Sequence, residues 1–515
     1  MDWLTLIVTV LSGVLGVQWL LWRKLQKFKQ LGVLHPKAWP FVGNAAPLLF
    51  LRSHFTDVIT SVYKLNEEAK YVGFYDFGEP VIVIRSPELM KSIAVKNFDH
   101  FADHRNFLDP DSNPLFSKNL VTLRGDKWKE VRNLLSPAFT SSKMKGMFRL
   151  MWACGENLVD HLLAAQISKS KVIDSKDSFT RYTNDVIAAC AFGISVDSMK
   201  NPKNEFYLRG KNASNFGVFR AAKLLLSRLS PTLGKLLKVS LVPRETELFF
   251  ENVVRETIET REKQGITRPD MIQLMMESRE KYPDLTIQDM TAQAFTFFLA
   301  GYETTATSMC LVAHELALNS SVQTKLRNEI DDVLTETNAR VTYEVINEMR
   351  YLEAVVNETL RLYPIGSFID RLCVKTFQLP PALPGGKPVV IEPGQNIWYP
   401  TFAVHRDPKY YPNPEKFDPE RFMGSAKSDM EPFAYVPFGQ GPRICIGNRF
   451  ALLEMKVLIF HLLAKCFLKP GPRARSPIEL NKRVFNLVPK EGFWLEVEPR
   501  HTPQSSNEVN FKTCQ

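Results

Sequence analysis

The sequence predicts a mainly α protein with small β-sheets, preceded by one N-terminal transmembrane helix. From about Ser86 to Leu362 apolar residues return every three or four positions, the period of an amphipathic helix. Tyr71 to Arg85 mixes aromatic and β-branched residues around the turn-like Phe77-Gly78-Glu79-Pro80 and reads as a β-hairpin. Leu4 to Trp22 is a run of 19 residues whose polar members are Thr5, Thr9, Ser12 and Gln18. As a helix such a run spans roughly 28 Å, close to the thickness of a bilayer core.

Arg23, Lys24, Lys27 and Lys29 follow the apolar run, and Asp2 is the one charged side chain before it. The positive-inside rule then leaves everything after residue 23 in the cytoplasm, and a cleaved signal peptide would show the reverse order of charge. Residues 1–23 are read as an uncleaved membrane anchor, 24–47 as a basic, Pro/Gly-rich connector, 48–500 as the folded body and 501–515 as a polar tail. Residues 203–244 carry nine Lys or Arg against the single Glu205, interleaved with Phe206, Phe216, Phe219 and several leucines. This segment suits either a membrane surface or a pair of amphipathic helices with solvated basic faces. Thr286-Ile287-Gln288-Asp289 is a capping box opening a long helix to about Asn319. After Leu379 the chain is rich in proline, glycine and aromatics, then returns to a helix over Asn448 to Phe467.

The 515 residues are 45% hydrophobic and 23% charged, the composition of a large folded protein without a dominant disordered part. A net charge of +10 leaves nucleic acid, an anionic membrane or an acidic protein open as partners. Seven scattered cysteines without a C-x-x-C pair exclude a disulfide framework and a zinc ribbon, and fit a reducing compartment. Only Cys445 has neighbours that mark it for chemistry.

Phe438-Gly439-Gln440-Gly441-Pro442-Arg443-Ile444-Cys445-Ile446-Gly447 is a punctuated loop running into the apolar helix at Asn448. A cysteine at a helix N-terminus is expected to have a lowered pKa and to be available as a thiolate ligand. Gly441 and Gly447 are expected to take backbone conformations closed to other residues, and Arg443 to offer its guanidinium to a carboxylate. The loop matches F-x-x-G-x-R-x-C-x-G, and on these residues the chain resembles the cytochromes P-450 from about Leu31 to Pro499. The resemblance implies the cytochrome P-450 fold and haem b (iron protoporphyrin IX), with Cys445 as axial thiolate, Phe438 shielding the sulfur and Arg443 on a propionate.

Further motifs appear in the family's order. Glu358-Thr359-Leu360-Arg361 sets two charges on one helical face, and by the resemblance they join Arg421 in a buried structural lock. Trp128 and Arg132 form W-x-x-x-R, which with Arg371 is implied to hold the propionates. Ala300-Gly301-Tyr302-Glu303-Thr304-Thr305 matches A-G-x-[D/E]-T-[T/S] in the long helix. Ala300 and Gly301 are expected to free space for the haem face, and Thr304 to bond the Ala300 carbonyl and open the helix to water. Glu303 and Thr304 would then relay protons. The implied substrate pocket draws on Phe107, Phe116, Phe297, Phe298, Ile365, Phe368, Ile369 and Phe485.

On the run from Arg361 through Cys373 the chain most resembles arthropod xenobiotic-metabolising members related to the vertebrate three-A subfamily. The implied activity is an NADPH- and O2-dependent monooxygenase on the cytoplasmic face of the endoplasmic reticulum membrane, acting on lipophilic small molecules. The implied electron donors are NADPH-cytochrome P-450 reductase and cytochrome b5, with Lys127, Lys129, Lys143, Lys145 and Arg449 steering acidic partners, and nucleic acid is not expected. Biosynthetic oxidation of an endogenous lipid, hormone or pheromone is the alternative enzyme role. A haem-based carrier or gas sensor is the reading outside enzymes, and neither would need a proton relay at Glu303 and Thr304.

Overall fold

A computed structural model of the chain describes residues 22–106, 113–166, 171–214 and 240–500, with scattered positions in 1–21 and 215–239. Most of the candidate anchor, most of the basic stretch within 203–244, Phe107 and the tail lie outside the described residues. Among those described, no helix is long and apolar enough to cross a membrane.

The architecture is predominantly helical. Its longer helices are α1 Phe55–Tyr63, α2 Gly125–Leu135, α3 Ser141–Gln166, α4 Ser175–Ile187, α5 Glu205–Ser214, α6 Arg244–Gln264, α7 Met271–Ser278, α8 Ile287–Leu318, α9 Ser320–Glu336, α10 Tyr343–Glu348, α11 Arg350–Leu362 and α12 Asn448–Lys465. Strands are β1 Tyr71–Asp76, β2 Glu79–Ile84, β3 Val172–Asp174, β4 Ile369–Leu372, β5 Phe377–Leu379, β6 Val389–Ile391, β7 Asn396–Tyr399, β8 Cys466–Pro470 and β9 Trp494–Pro499. They form sheets in the orders β1-β2-β7-β4, β3-β9-β8 and β5-β6, with β2 and β7 parallel.

The β1–β2 hairpin pairs Tyr71 with Ile84 and Asp76 with Glu79. Its two-residue turn places Phe77 at φ 51° and Gly78 at φ 84°, the left-handed pair that matches strand twist. Residues 27–47 do not stand off this sheet. Phe28 is buried and its amide donates to the Tyr75 hydroxyl at 3.1 Å, so the basic connector is part of the body. The C-terminal helix stops at Lys465, short of the expected Phe467, because Cys466 and Phe467 pair with β9.

Helix α8 is the axis of the molecule. Thr286 and Asp289 exchange capping hydrogen bonds at 3.1 and 3.0 Å, and the helix beyond them is apolar round most of its circumference. It therefore buries against several partners, chiefly α4, α12, the short helical turn Pro114–Ser117, α6, β8 and α11. At 32 residues it is about 48 Å long, enough to cross the whole domain.

Helix α11 carries the predicted structural charges. Arg361 donates Nε and Nη2 to the two oxygens of Glu358 at 2.7 and 2.8 Å, and both residues are wholly buried. Its remaining donors reach the carbonyls of His405 at 2.8 Å and Lys416 at 3.2 Å. Arg421 is a weaker member than the sequence suggested. Its Nε lies 3.5 Å from Glu358 without forming a hydrogen bond, and its Nη2 donates to the Asn413 carbonyl at 2.9 Å. Removing one partner of a fully buried pair strands the other charge. Arg361→Leu should therefore cost ~3–5 kcal/mol in urea unfolding, whereas Arg421→Leu, which breaks no hydrogen bond to Glu358, should cost less. Equal losses for the two would show that Glu358 depends on both arginines.

Candidate active site

The cysteine loop is held by its own backbone. Cys445 N–H donates to the Phe438 carbonyl at 2.9 Å, and Ile444 N–H to the Gly441 carbonyl at 3.0 Å. Gly441 has φ 77°, and a side chain there would run into the Ala94 carbonyl, so glycine is obligatory. Gly447 departs from expectation: at φ −92° it needs no special conformation, and a Cβ would make only ordinary contact with Phe139 at 3.9 Å. Its amide is useful instead, because it faces the Cys445 sulfur and favours the thiolate.

Cys445 is accessible from a cavity of about 420 Å³ and enclosed by protein elsewhere. That enclosure pushes its thiol up, against the downward pull of the Gly447 amide and the Arg132 guanidinium. The lowered pKa expected from the helix terminus is thus not the net result, since burial outweighs both. A bound metal cation reverses the balance, because a coordinating thiol is deprotonated outright. Cys190 also lines the cavity, but it is fully buried and surrounded by Cys154, Glu454 and Asp270, all of which oppose its ionisation. Of the two, only Cys445 has groups that stabilise a thiolate.

Trp128, Arg132, Arg371, Phe438 and Arg443 line the same cavity, as the sequence predicts. Arg443 gives its donors to Ala102 O at 2.7 Å, Leu123 O at 2.8 Å, Leu120 O at 3.4 Å and Asp103 Oδ1 at 3.2 Å, and stacks 4.0 Å over Trp128. Among the described residues Arg371 reaches only carbonyls, of Asp370 at 2.7 Å and Gln440 at 3.4 Å, and its Nε finds no partner. Burial draws Arg371 and Arg443 down to about 10, so both stay charged at neutral pH. Sequence reasoning missed His104, whose Nδ1 lies 2.7 Å from Asp370 Oδ1 in the cavity wall. Its one available signal was the acid beside Arg371.

Thr304, Ala300 and Gly301 present α8 to the cavity. The Thr304 hydroxyl donates to the Ala300 carbonyl, yet the helix continues unbroken, so the expected opening is absent. A Cβ on Gly301 would meet Ile187 Cδ1 at 2.7 Å, which makes this glycine a seat for α4 more than clearance for a ligand. Glu303 does not line the cavity. Successive helical residues point about 100° apart, and its carboxylate pairs with Lys176 of α4 at 2.9 Å and accepts from Asn486 at 3.5 Å.

The eight pocket candidates divide. Phe297, Ile365, Phe368 and Ile369 line the cavity, joined by Leu120 and Val121. Phe298 belongs to the core, ringed by Phe206, Phe250 and Tyr302. Phe116 packs edge-on to Phe295 at 6.3 Å, and Phe485 covers Phe55 at 4.9 Å while remaining half exposed. Phe107 lies outside the described residues. Helical spacing alone cannot tell Phe297 from Phe298, since adjacent residues differ only in which way they face.

A thiol, an apolar chamber and a buried arginine, Arg371, without a carboxylate hydrogen bond among the described residues suit a planar apolar macrocycle that carries acidic side groups and needs one soft axial ligand. The unpartnered Arg371 Nε is the clearest mark of that fit. Fold and cavity together fit a haem protein with a thiolate ligand. The chain belongs to the cytochrome P450 family, whose profile matches residues 34–495. Cytochrome P450 9e2 of Blattella germanica is 44% identical over 494 residues, 90% of this chain and 92% of that protein. Probable cytochrome P450 9f2 of Drosophila melanogaster is 40% identical over 496 residues, 92% and 95% of the two chains. Cytochrome P450 6j1 of Blattella germanica is 34% identical over 499 residues, 96% and 98%. The protein is accordingly a P450 monooxygenase, and the family implies a haem-thiolate cofactor and electrons from a redox partner.

Cys445→Ser should remove the red-shifted Soret band of the reduced carbon monoxide complex, because a neutral hydroxyl cannot donate as a thiolate does. Retention of that band would pass the ligand role to another cysteine.

Proposed function

We propose that this monooxygenase oxidises bulky lipophilic compounds, chiefly foreign ones, at the cytoplasmic face of the endoplasmic reticulum. The observation that carries this reading is the chamber itself: Cys445 opens on a cavity whose other walls include Leu120, Val121, Phe297, Ile365, Phe368 and Ile369. Such walls hold ligands by burial and ring contact and leave few hydrogen bonds for recognition. The similarity to insect P450s supports a detoxifying role.

Haem, when bound, supplies dioxygen activation, favoured by electron donation from the thiolate. Cys445 Sγ is the proposed ligand. Arg132, Arg371 and Arg443 would balance the propionate charges, and Trp128 would pack beside Arg443. Ala300 keeps the α8 wall low, and Thr304 Oγ1 orders water by accepting its hydrogen bond.

Residues 1–23 anchor the body in this scheme, with the basic 203–244 segment as a second contact with lipid. NADPH-cytochrome P450 reductase and cytochrome b5 are the proposed electron donors. Arg449, four residues after Cys445, bonds the Phe139 carbonyl at 3.2 Å and the Ser141 hydroxyl at 3.0 Å and so ties the start of α12 to the start of α3, in the region proposed to receive them. Lys127 and Lys145 are exposed on the adjoining helices, though Lys145 also pairs with Glu344.

A panel of lipophilic compounds screened for a low-to-high-spin Soret shift tests the substrate class. Large apolar ligands should shift the spectrum at lower concentration than small polar acids, and the reverse order would end this reading. Thr304→Ala should lower the ratio of product to NADPH consumed and raise hydrogen peroxide in a reductase-reconstituted assay. The hydroxyl that holds water beside the reacting oxygen is then gone. Unchanged coupling would leave Thr304 a purely structural residue.

A further inference from the structure

Besides Cys445, four sulfur-bearing side chains line the cavity: Met147 of α3, Cys190, Met271 of α7 and Met455 of α12. Packing brings their elements together. A Cβ on Gly146 of α3 would lie 3.3 Å from Pro269, just before α7, and Trp152 of α3 packs on Phe460 of α12 at 5.5 Å. Cys190 sits in the helical turn Ala188–Phe192, which contacts both α3 and α7. This stretch of wall is separate from the arginines. The ionisable groups that act on Cys190 are Cys154, Glu454 and Asp270, whereas those that act on Arg443 are Asp103, Arg371 and Asp370.

Each of the three methionines is 3% exposed or less, so a reagent meets them from the cavity side. Methionine is a common filler of irregular core gaps, and packing alone would be served by leucine. The sulfur atoms differ in what they can do. A thiol reacts as its thiolate, and burial together with Cys154, Glu454 and Asp270 opposes ionisation of Cys190. A thioether needs no ionisation to be oxidised. The methionines are therefore the oxidisable part of this wall, and Cys190 is not.

Resting on the reading of this cavity as a haem chamber supplied with electrons by a reductase, we propose that Met147, Met271 and Met455 are sites of oxidative modification. The oxidant is hydrogen peroxide released inside the chamber by uncoupled turnover. One peroxide oxygen bonds to the sulfur as the O–O bond breaks, the thioether loses two electrons to become a sulfoxide, and the other oxygen leaves as water with both protons. Met271 is the foremost site. It opens α7, a helix of eight residues that follows the exposed stretch 265–269, so the helix can shift to admit the added oxygen. Met147 and Met455 lie inside helices of 26 and 18 residues, which resist such a shift. A sulfoxide sets a polar acceptor in an apolar wall at a cost unless a donor meets it. The modified wall then holds an apolar macrocycle less firmly, and uncoupling limits itself through haem loss.

The test uses the full-length holoprotein with NADPH-cytochrome P450 reductase and NADPH, without substrate, and with catalase in the medium to destroy peroxide that escapes. Peptide mass spectrometry should find a gain of about 16 Da, one oxygen, at Met271 before the more exposed Met199, Met423 and Met430. Peroxide added from outside, without NADPH or catalase, should reverse that order. Haem release should follow oxidation of Met271. Met271→Leu, which conserves volume, should lose haem more slowly than wild type at equal NADPH consumption. Oxidation of all methionines alike during turnover, protection of Met271 by catalase, or haem loss at the wild-type rate in the variant would overturn the proposal. If Met271→Leu does not take up haem, the order of oxidation in wild type decides alone. Absence of NADPH consumption defeats the reductase reading instead.

Discussion

The geometry of the cavity rests on the Glu358–Arg361 ion pair. Taking two charges out of water costs several kcal/mol per ion, and only complete hydrogen bonding offsets that. Here the carboxylate receives two guanidinium donors and the Asp418 amide at 2.9 Å, while Arg361 spends its other donors on carbonyls. His405 extends the arrangement. Burial and the nearby Arg361 hold its imidazole down to about 3, so it is neutral. Its Nε2 accepts from Val436 N–H at 3.0 Å, which requires the proton on Nδ1, facing the Arg361 carbonyl at 3.2 Å. Val436 in turn accepts from Gly439 N–H at the start of the cysteine loop. The position of Cys445 is thus inherited, through a neutral histidine, from an ionic centre on another element.

Electrostatics around the cavity is asymmetric in a way that follows from this skeleton. Arg371, Arg443 and His104 share one part of its wall, where Asp103 and Asp370 are the carboxylates bonded to that group. Arg443 is largely consumed by loop carbonyls and by Trp128, so it works as a brace for the wall as much as a charge. Arg371 is wholly buried with no carboxylate hydrogen bond, and Arg132 is half-buried beside Cys445. Arginine suits this task better than lysine, because its flat guanidinium can satisfy carbonyls with some donors and still present others to an acidic ligand.

The cysteine loop was legible in the sequence because its requirements are local: Gly441 is fixed by φ and by Ala94, and Cys445 by its place before a helix. Glu358 and Arg361 were legible for the same reason, being one helical turn apart on an apolar helix. What could not be read were facts that depend on a second element. Gly301 has its reason in Ile187, Glu303 finds Lys176, and His104 finds Asp370, each across a gap in sequence that carries no period. Arg421 was overrated because spacing reports proximity and not whether a donor points at its acceptor. The thiol of Cys445 was misjudged because burial, a property of the whole fold, outweighs the local dipole.

Helix α8 shows how a hydroxyl-rich segment can cross a core and still wall a reaction chamber. Thr296, Thr304, Thr307 and Ser308 each give their one proton to the carbonyl four residues back. The helix stays regular because none of these hydroxyls is left unsatisfied. Thr296, Thr304 and Ser308 reach the cavity, and with their protons committed they offer it lone pairs only. At these three residues the α8 wall offers acceptors, opposite in character to the arginines across the cavity lining, whose groups can only donate. For Thr304 to donate rather than accept, its hydroxyl must turn away from Ala300, and that single torsion separates a wall that holds a proton donor in place from one that delivers a proton.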